Sequence, residues 1–180
     1  MEQEQELITR LISQDTKDSA FRELLQLYKE RLYWHIRHIV KSHDDADDVL
    51  QNTFIKVYKS IDKFKGDSKL YSWMYRIATN ESITHLNRNA KRMQLSSEAY
   101  QEYSITNLKA DVYFEGDEIQ LKLQKAIATL PEKQQLVFNM KYFEDIKYKD
   151  MAEILDTSEG ALKASYHIAV KKIEAYLTHD

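Results

Sequence analysis

YKDMAEILDTSEGALKASYHIAVKKIEAYL, residues 148–177, decides the fold class. It divides into a short run with helical apolar spacing, Tyr148–Leu155, a three-residue break, DTS, and a longer run from Ser158 to about Leu177. A short helix, a tight turn and a longer helix form the helix-turn-helix outline. Ala152 supplies the small residue that close helix contact needs, and Leu162 the apolar residue of a shared core. Leu162, Tyr166, Ala169, Ile173 and Leu177 give the second helix one apolar face. Lys163, Ala164, His167, Ile168 and Lys171 fall opposite it or on its flanks, free to enter a major groove. Thr157 or Ser158 suits the cap of that helix. The same pattern fits an ordinary helical hairpin with a solvated outer face, so this stretch alone leaves DNA binding open.

Composition extends the helical reading to the whole chain. Three glycines and one proline in 180 residues are too few turn formers for a strand-rich fold. A 43% apolar and 31% charged content fits a globular chain rather than a disordered one. With no cysteine, disulfides, thiolate catalysis and sulfur-built zinc sites are excluded. The start, MEQEQELITR, is acidic and unlike a signal peptide, and no run approaches a membrane span, so a cytoplasmic protein without membrane insertion is expected.

Phe21, Leu24, Leu25, Tyr28, Leu32, Ile36 and Ile39 predict a long amphipathic helix ending near Ser42-His43. A second helix follows, with Val49, Leu50, Phe54, Val57, Tyr58 and Ile61 as its buried stripe. DKFKGDSK (62–69) reads as a loop, and Leu70, Trp73, Met74 and Ile77 restart a helix that can run to Arg92. From Met93 to Gly116 the periodicity fades among acidic and polar residues, which marks a linker. Ile119, Leu123, Ile127 and Leu130 start another helix, and Pro131 suits the first position of the next. The expectation is all-α: a domain at 1–92, a linker at 93–116, and a helix-turn-helix domain at 117–180.

Charge is segmented along this layout. Residues 1–55 carry seven basic and eleven acidic groups, 56–92 nine and three, 93–120 one and six, and 121–180 nine of each. One basic block between acidic ones points to a single polyanion-facing surface on an otherwise self-shielded chain. Within the block, Lys63, Lys65, Lys69, Arg76, Arg88, Lys91 and Arg92 interleave with Phe64, Tyr71, Trp73 and Tyr75. Cations neutralise phosphates and aromatic faces stack on unpaired bases, a mixture suited to opened nucleic acid. Helical spacing with Leu70 and Ile77 assigns Trp73 to the core. The loop from Phe64 to Lys69, with Asn80 one turn beyond Arg76, is left as the base-contacting part.

HDDADDVLQNTFIKVYKS (43–60) opens on four aspartates. A calcium loop would need a central glycine and a closing glutamate, and neither is present. His35, His38 and His43 lie nearby, but no acidic residue stands at ligand spacing on the His35/His38 face, so no metal is expected. Acids in a first turn favour the helix dipole, which accounts for Asp44 and Asp45. Asp48, Gln51, Asn52 and Ile55 share a face that mixes polar with exposed apolar character, as a protein-docking stripe does.

Taken together, these parts resemble bacterial RNA polymerase sigma factors of the small extracytoplasmic-function group. DADDVLQNTFIKVYKSIDKF followed by SWMYRIATNESITHL is similar to the family's sigma-two domain, and LPEKQQLVFNMKYFEDIKYKDMAEILDTSEGALKASYHIAVKKIEAYL to its sigma-four domain. The resemblance implies that Asp48, Gln51, Asn52 and Ile55 face the clamp helices of the polymerase's largest subunit. It implies that Phe64, Lys65, Lys69, Arg76 and Asn80 capture an unpaired base of the downstream promoter element, with Arg88, Lys91 and Arg92 on the same basic helix. The helix bearing Ser158, Lys163, Ala164, His167 and Lys171 would read the upstream element. Such factors commonly have an anti-sigma partner; no catalytic residue, metal or cofactor is implied. Gln135 departs from the usual arginine beside the leucine-proline pair, and Asp156 from the usual turn glycine. Ser165 and Ile168 stand where many members carry arginine or histidine.

Two other classes fit parts of the chain. A free-standing helix-turn-helix regulator needs a surface basic enough to hold DNA alone, against which stands the net charge of −3. A helical magnesium-dependent enzyme would rest on Asp44–Asp48 alone.

Overall fold

The apolar stripes become α1 (Glu2–Ile12), α2 (Lys17–Val40), α3 (His43–Ser60), a single 3-10 turn (Ile61–Lys63), α4 (Leu70–Arg92), α5 (Ser97–Thr106), α6 (Glu118–Ala128), α7 (Glu132–Tyr142), α8 (Tyr148–Leu155) and α9 (Glu159–Thr178). This computed structural model describes residues 2–106, 108 and 117–178, and every regular element among them is helical. α2, α3 and α4 pack on one another, α1 lies against α2 and the 3-10 turn, and α6, α7 and α8 pack around α9.

The junctions follow from local chemistry. α2 ends where Lys41 turns left-handed (φ 65), a conformation disfavoured for a side-chain-bearing residue by about 1–2 kcal/mol. Ser42 then caps α3, its hydroxyl accepting from the Asp45 N–H at 3.3 Å, with Asp44 and Asp45 in the first turn as expected. Asp156 closes α8 in the same left-handed region (φ 49), which aspartate tolerates in place of glycine. Ser158 accepts from the Ala161 N–H at the start of α9. Pro131 sits one place earlier than expected, as the cap before α7, where its missing N–H is equally harmless.

Two elements differ from the sequence reading. The acidic N-terminal stretch forms α1, which buries Leu7, Ile8 and Leu11. Part of the expected linker forms α5, whose Tyr100 and Ile105 are buried, the latter clustering with Leu108 and Leu121. The span 109–116 lies outside the described residues. The main core also crosses the expected boundary. It runs from Leu24, Leu32, Ile36, Phe54, Leu70 and Met74 to Val137, Met140, Ile146, Met151, Ile154 and Leu162. Long-range packing outweighs the weak local periodicity of 93–106.

Candidate functional site

The stripe on α3 forms as expected. Val49, Leu50, Thr53, Phe54 and Val57 face inward, and this leaves Asp48, Gln51, Asn52 and Ile55 exposed on one side. Ile55 is 45% exposed, an apolar side chain in water on an otherwise polar face. Asp45 also reaches beyond its own helix, with Oδ1 lying 2.8 Å from His85 Nε2 on α4, which pins the start of α3 to that helix.

The basic loop is built on an aromatic anchor. Phe64, expected among the base contacts, is 8% exposed and packs on Trp73 with ring centroids 5.3 Å apart. It therefore holds the loop down, while Lys65, Gly66, Asp67 and Lys69 are exposed above it. Gly66 has φ +76, so a side chain at that turn would be strained. Arg76 and Asn80 present outward one turn apart on α4, and Arg88, Lys91 and Arg92 are exposed further along it.

On α9, Lys163, Ala164, His167 and Lys171 are exposed, as is Ser158 before it. Leu162, Ala169 and Ile173 are buried beneath them. Lys163 Nζ sits 5.7 Å above the Tyr148 ring, which steadies its stem. Gln135 donates to the Leu130 carbonyl and the Gln101 amide oxygen, both at 2.8 Å, and so ties α7 to α5. Between α4 and the α7–α9 unit lies a cleft of about 570 Å³, with Arg76 and Asn80 on one wall and Lys133 and Ser165 on the other.

The structure adds side chains that no local pattern could reveal. Lys69 Nζ donates to Asp150 Oδ1 of α8 at 2.7 Å, a bond that raises the lysine's pKa. Arg76 donates through Nε to the Glu153 carbonyl at 3.1 Å, and its Nη2 reaches the same oxygen. Glu4 of α1 accepts from the Leu70 N–H at 2.7 Å, at the open start of α4.

Glu144, after α7, reaches His35, 109 positions away, at 3.0 Å from Nδ1. The other ring nitrogen lies 2.8 Å from the Thr79 hydroxyl, which itself donates to the Tyr75 carbonyl. Both ring nitrogens of His35 thus face side-chain oxygens. Burial alone would raise the Glu144 pKa, but the His35 charge and hydrogen bond outweigh it and bring it down to about 2. His38 Nδ1 is 3.9 Å from the same carboxylate, and burial lowers its pKa. Glu144 supplies the acid that local spacing does not place on the His35/His38 face, yet no metal-holding group of His, Cys, Asp or Glu occurs among the described residues. No helix among them is long and apolar enough to cross a membrane.

Comparison with known proteins places this geometry. Residues 24–92 match the family model for sigma-70 region 2, and residues 120–173 that for sigma-70 region 4. The ECF RNA polymerase sigma-E factor of Haemophilus influenzae is 30% identical, over 95% of this chain and 93% of that protein. The RNA polymerase sigma-H factor of Pseudomonas aeruginosa is 29% identical, over 98% and 94%. Sigma factor SigW of Bacillus subtilis is 28% identical, over 89% and 91%. Among solved structures, CnrH in complex with the cytosolic domain of CnrY aligns over 98% of both chains, with a TM-score of 0.72 at 20% identity. The sigma factor RpoE, in complex with the anti-sigma factor NepR from Bartonella quintana, aligns over 89% of this chain with a TM-score of 0.66.

Proposed function

Because this chain belongs to the extracytoplasmic-function group of sigma-70 factors, which bind core RNA polymerase and direct promoter recognition and strand opening, we propose that its exposed surfaces divide that work as follows. Residues 1–92 carry polymerase docking and the downstream element, and 117–180 the upstream element. Asp48, Gln51, Asn52 and Ile55 meet the clamp helices of the largest subunit. Lys65, Lys69, Arg76 and Asn80 meet opened DNA, with Arg88, Lys91 and Arg92 on its phosphates. Ser158, Lys163, Ala164, His167 and Lys171 meet duplex DNA. The place of action is the cytoplasm, and an anti-sigma factor of the kind RpoE binds is a fitting partner.

The observation that carries docking is the α3 face: four neighbouring exposed positions with Ile55 among them, on a helix whose opposite side is sealed in the core. Co-purification with core polymerase tests it. The double change Asp48→Lys/Gln51→Glu should release polymerase while leaving the melting curve unchanged. Equal recovery of polymerase with both chains would remove the assignment.

Phe64 fits this division as the anchor beneath the loop, so its loss should act through loop order rather than through a base contact.

A further inference from the structure

His85 stands where α3, α4 and α5 meet. It is 6% exposed, in the second half of α4, and both of its ring nitrogens are engaged. Nε2 lies 2.8 Å from Asp45 Oδ1 in the first turn of α3. Nδ1 lies 3.2 Å from Nη2 of Arg88, one turn further along α4. A guanidinium can only donate, so Nδ1 accepts, the ring proton sits on Nε2, and the Asp45 carboxylate receives it. The buried amide of Asn89 lies 2.9 Å from Nε2 and reaches the Tyr100 hydroxyl of α5 at 3.2 Å. The two ends of this chain of bonds lie at surfaces with different work. Asp45 precedes Asp48 by three positions and Asn52 by seven, so it borders their exposed face on α3. Arg88 is exposed, with one of its five donors taken by His85 and the others left for a phosphate.

We propose that His85 is a positioning residue: it holds the Arg88 guanidinium in fixed register with the docking face of α3, so that a docked polymerase and a bound phosphate are set at one spacing. This rests on the assignment of α3 to polymerase and of Arg88 to phosphates above. The chemistry suits the place. A neutral imidazole is rigid and flat, and it accepts on one side while donating on the other. It can therefore take a bond from a cation and give one to an anion at the same time. A lysine could not accept, a carboxylate could not donate, and an apolar side chain would leave Asp45 and Arg88 unconnected. An arginine head already held in place also loses less freedom when a phosphate arrives than one free to sample its rotamers. Through Asn89 and Tyr100 the same ring is braced from α5.

The experiment uses the full chain assembled with core polymerase and a fluorescent pre-melted template, with affinity followed across salt. Each phosphate contact contributes about 0.7–0.9 to the slope of log affinity against log salt. Arg88→Ala should lower that slope by one such step. His85→Leu should lower it by as much, and the double variant by no more, because both changes lose the same contact. His85→Gln, which can still accept from Arg88 and donate to Asp45, should keep the wild-type slope. Asp45→Ala reaches the same ring from α3, at a side chain 25% exposed, and should lower the slope as well. Should leucine at the buried position unfold the chain, Asp45→Ala and His85→Gln carry the test. A wild-type slope in His85→Leu or in Asp45→Ala, a double variant lower by two steps, or a loss in His85→Gln equal to that in Arg88→Ala overturns the proposal. Arg88→Ala separates the two readings. If its slope equals the wild type, the phosphate assignment falls and the positioning with it; if its slope drops while His85→Leu and Asp45→Ala keep theirs, only the positioning falls.

Discussion

Lys41 offers a quantitative test of how this fold handles charge. It terminates α2 in the left-handed region, is 9% exposed, and donates from Nζ to Gln124 Oε1 of α6 at 2.7 Å. Burial, with a smaller contribution from neighbouring Arg37, lowers its pKa from the ordinary 10.5 to about 7. A drop of that size corresponds to about 5 kcal/mol of preference for the neutral amine. For a lysine lowered in the native state, the unfolded chain binds more protons between about pH 7 and 10.5. Stability therefore rises with pH across that window, by about 1.4 kcal/mol per unit, and the contribution is lost as pH falls towards 7. Lys41→Met keeps length and packing, removes the titrating group, and leaves the Gln124 amide oxygen without its donor at about 1–3 kcal/mol.

The balance makes the methionine chain more stable near neutral pH, by about 1–3 kcal/mol, with the advantage vanishing as pH rises by about two units. Urea unfolding of both chains followed by circular dichroism, between about pH 7 and 9, measures this as a difference in which tyrosine ionisation common to both cancels. A pH-independent difference would refute the reasoning: it would mean that the ammonium stays charged in the fold, held by the last carbonyls of α2.

Ile55→Asp, at a site 45% exposed, should abolish co-purification with core polymerase and change unfolding free energy by no more than about 0.5 kcal/mol. Lys163→Ala should weaken closed-complex binding by about 1–3 kcal/mol, with the upstream element mattering less thereafter. Asn80→Ala with Lys69→Ala should leave the closed complex and reduce permanganate reactivity of unpaired thymines; a pre-melted template should rescue this pair and not Lys163→Ala. Glu144→Gln should lower stability at about pH 6 by about 1–3 kcal/mol. Because the Glu144 pKa is lowered to about 2, the wild-type advantage should be complete above its ordinary 4.5 and fade as pH falls through about 2.

What can be read from sequence is what repeats locally. The α2, α3 and α4 stripes, the Ser158 cap, and the left-handed turn at Asp156 each depend on residues within a few positions of one another. So does the exposed face of α3 that carries Asp48, Gln51, Asn52 and Ile55, because a helix exposes whatever its buried stripe excludes. α1 escapes local reading because Leu7, Ile8 and Leu11 make a short stripe in an acidic stretch that needs α2 to cover it. α5 has the same cause, since Tyr100 and Ile105 gain their burial from packing on α4 and α6 rather than from their own periodicity. Phe64 sits in a loop between lysines, where composition alone does not separate a stacking ring from an anchor.

Charge shows most sharply where local reading stops. The acid-base-acid segmentation locates the basic surface and suggests shielding, but the acidic segment flanking it on the C-terminal side is not what covers Lys69. Its partner, Asp150, comes from the one segment whose charges balance, nine of each sign. A segment sum is blind to sidedness. In α8 the carboxylate of Asp150 turns inward to Lys69 and Tyr71, while Lys147 and Lys149 beside it do not enter that contact. Neutral net charge along the chain can therefore conceal a strongly polar face in space. Glu144 makes the same point, reaching His35 from 109 residues away. Which side chains a helix exposes is set by its own buried stripe and is legible; the contacts between distant helices are set by topology, and only the fold brings their members together.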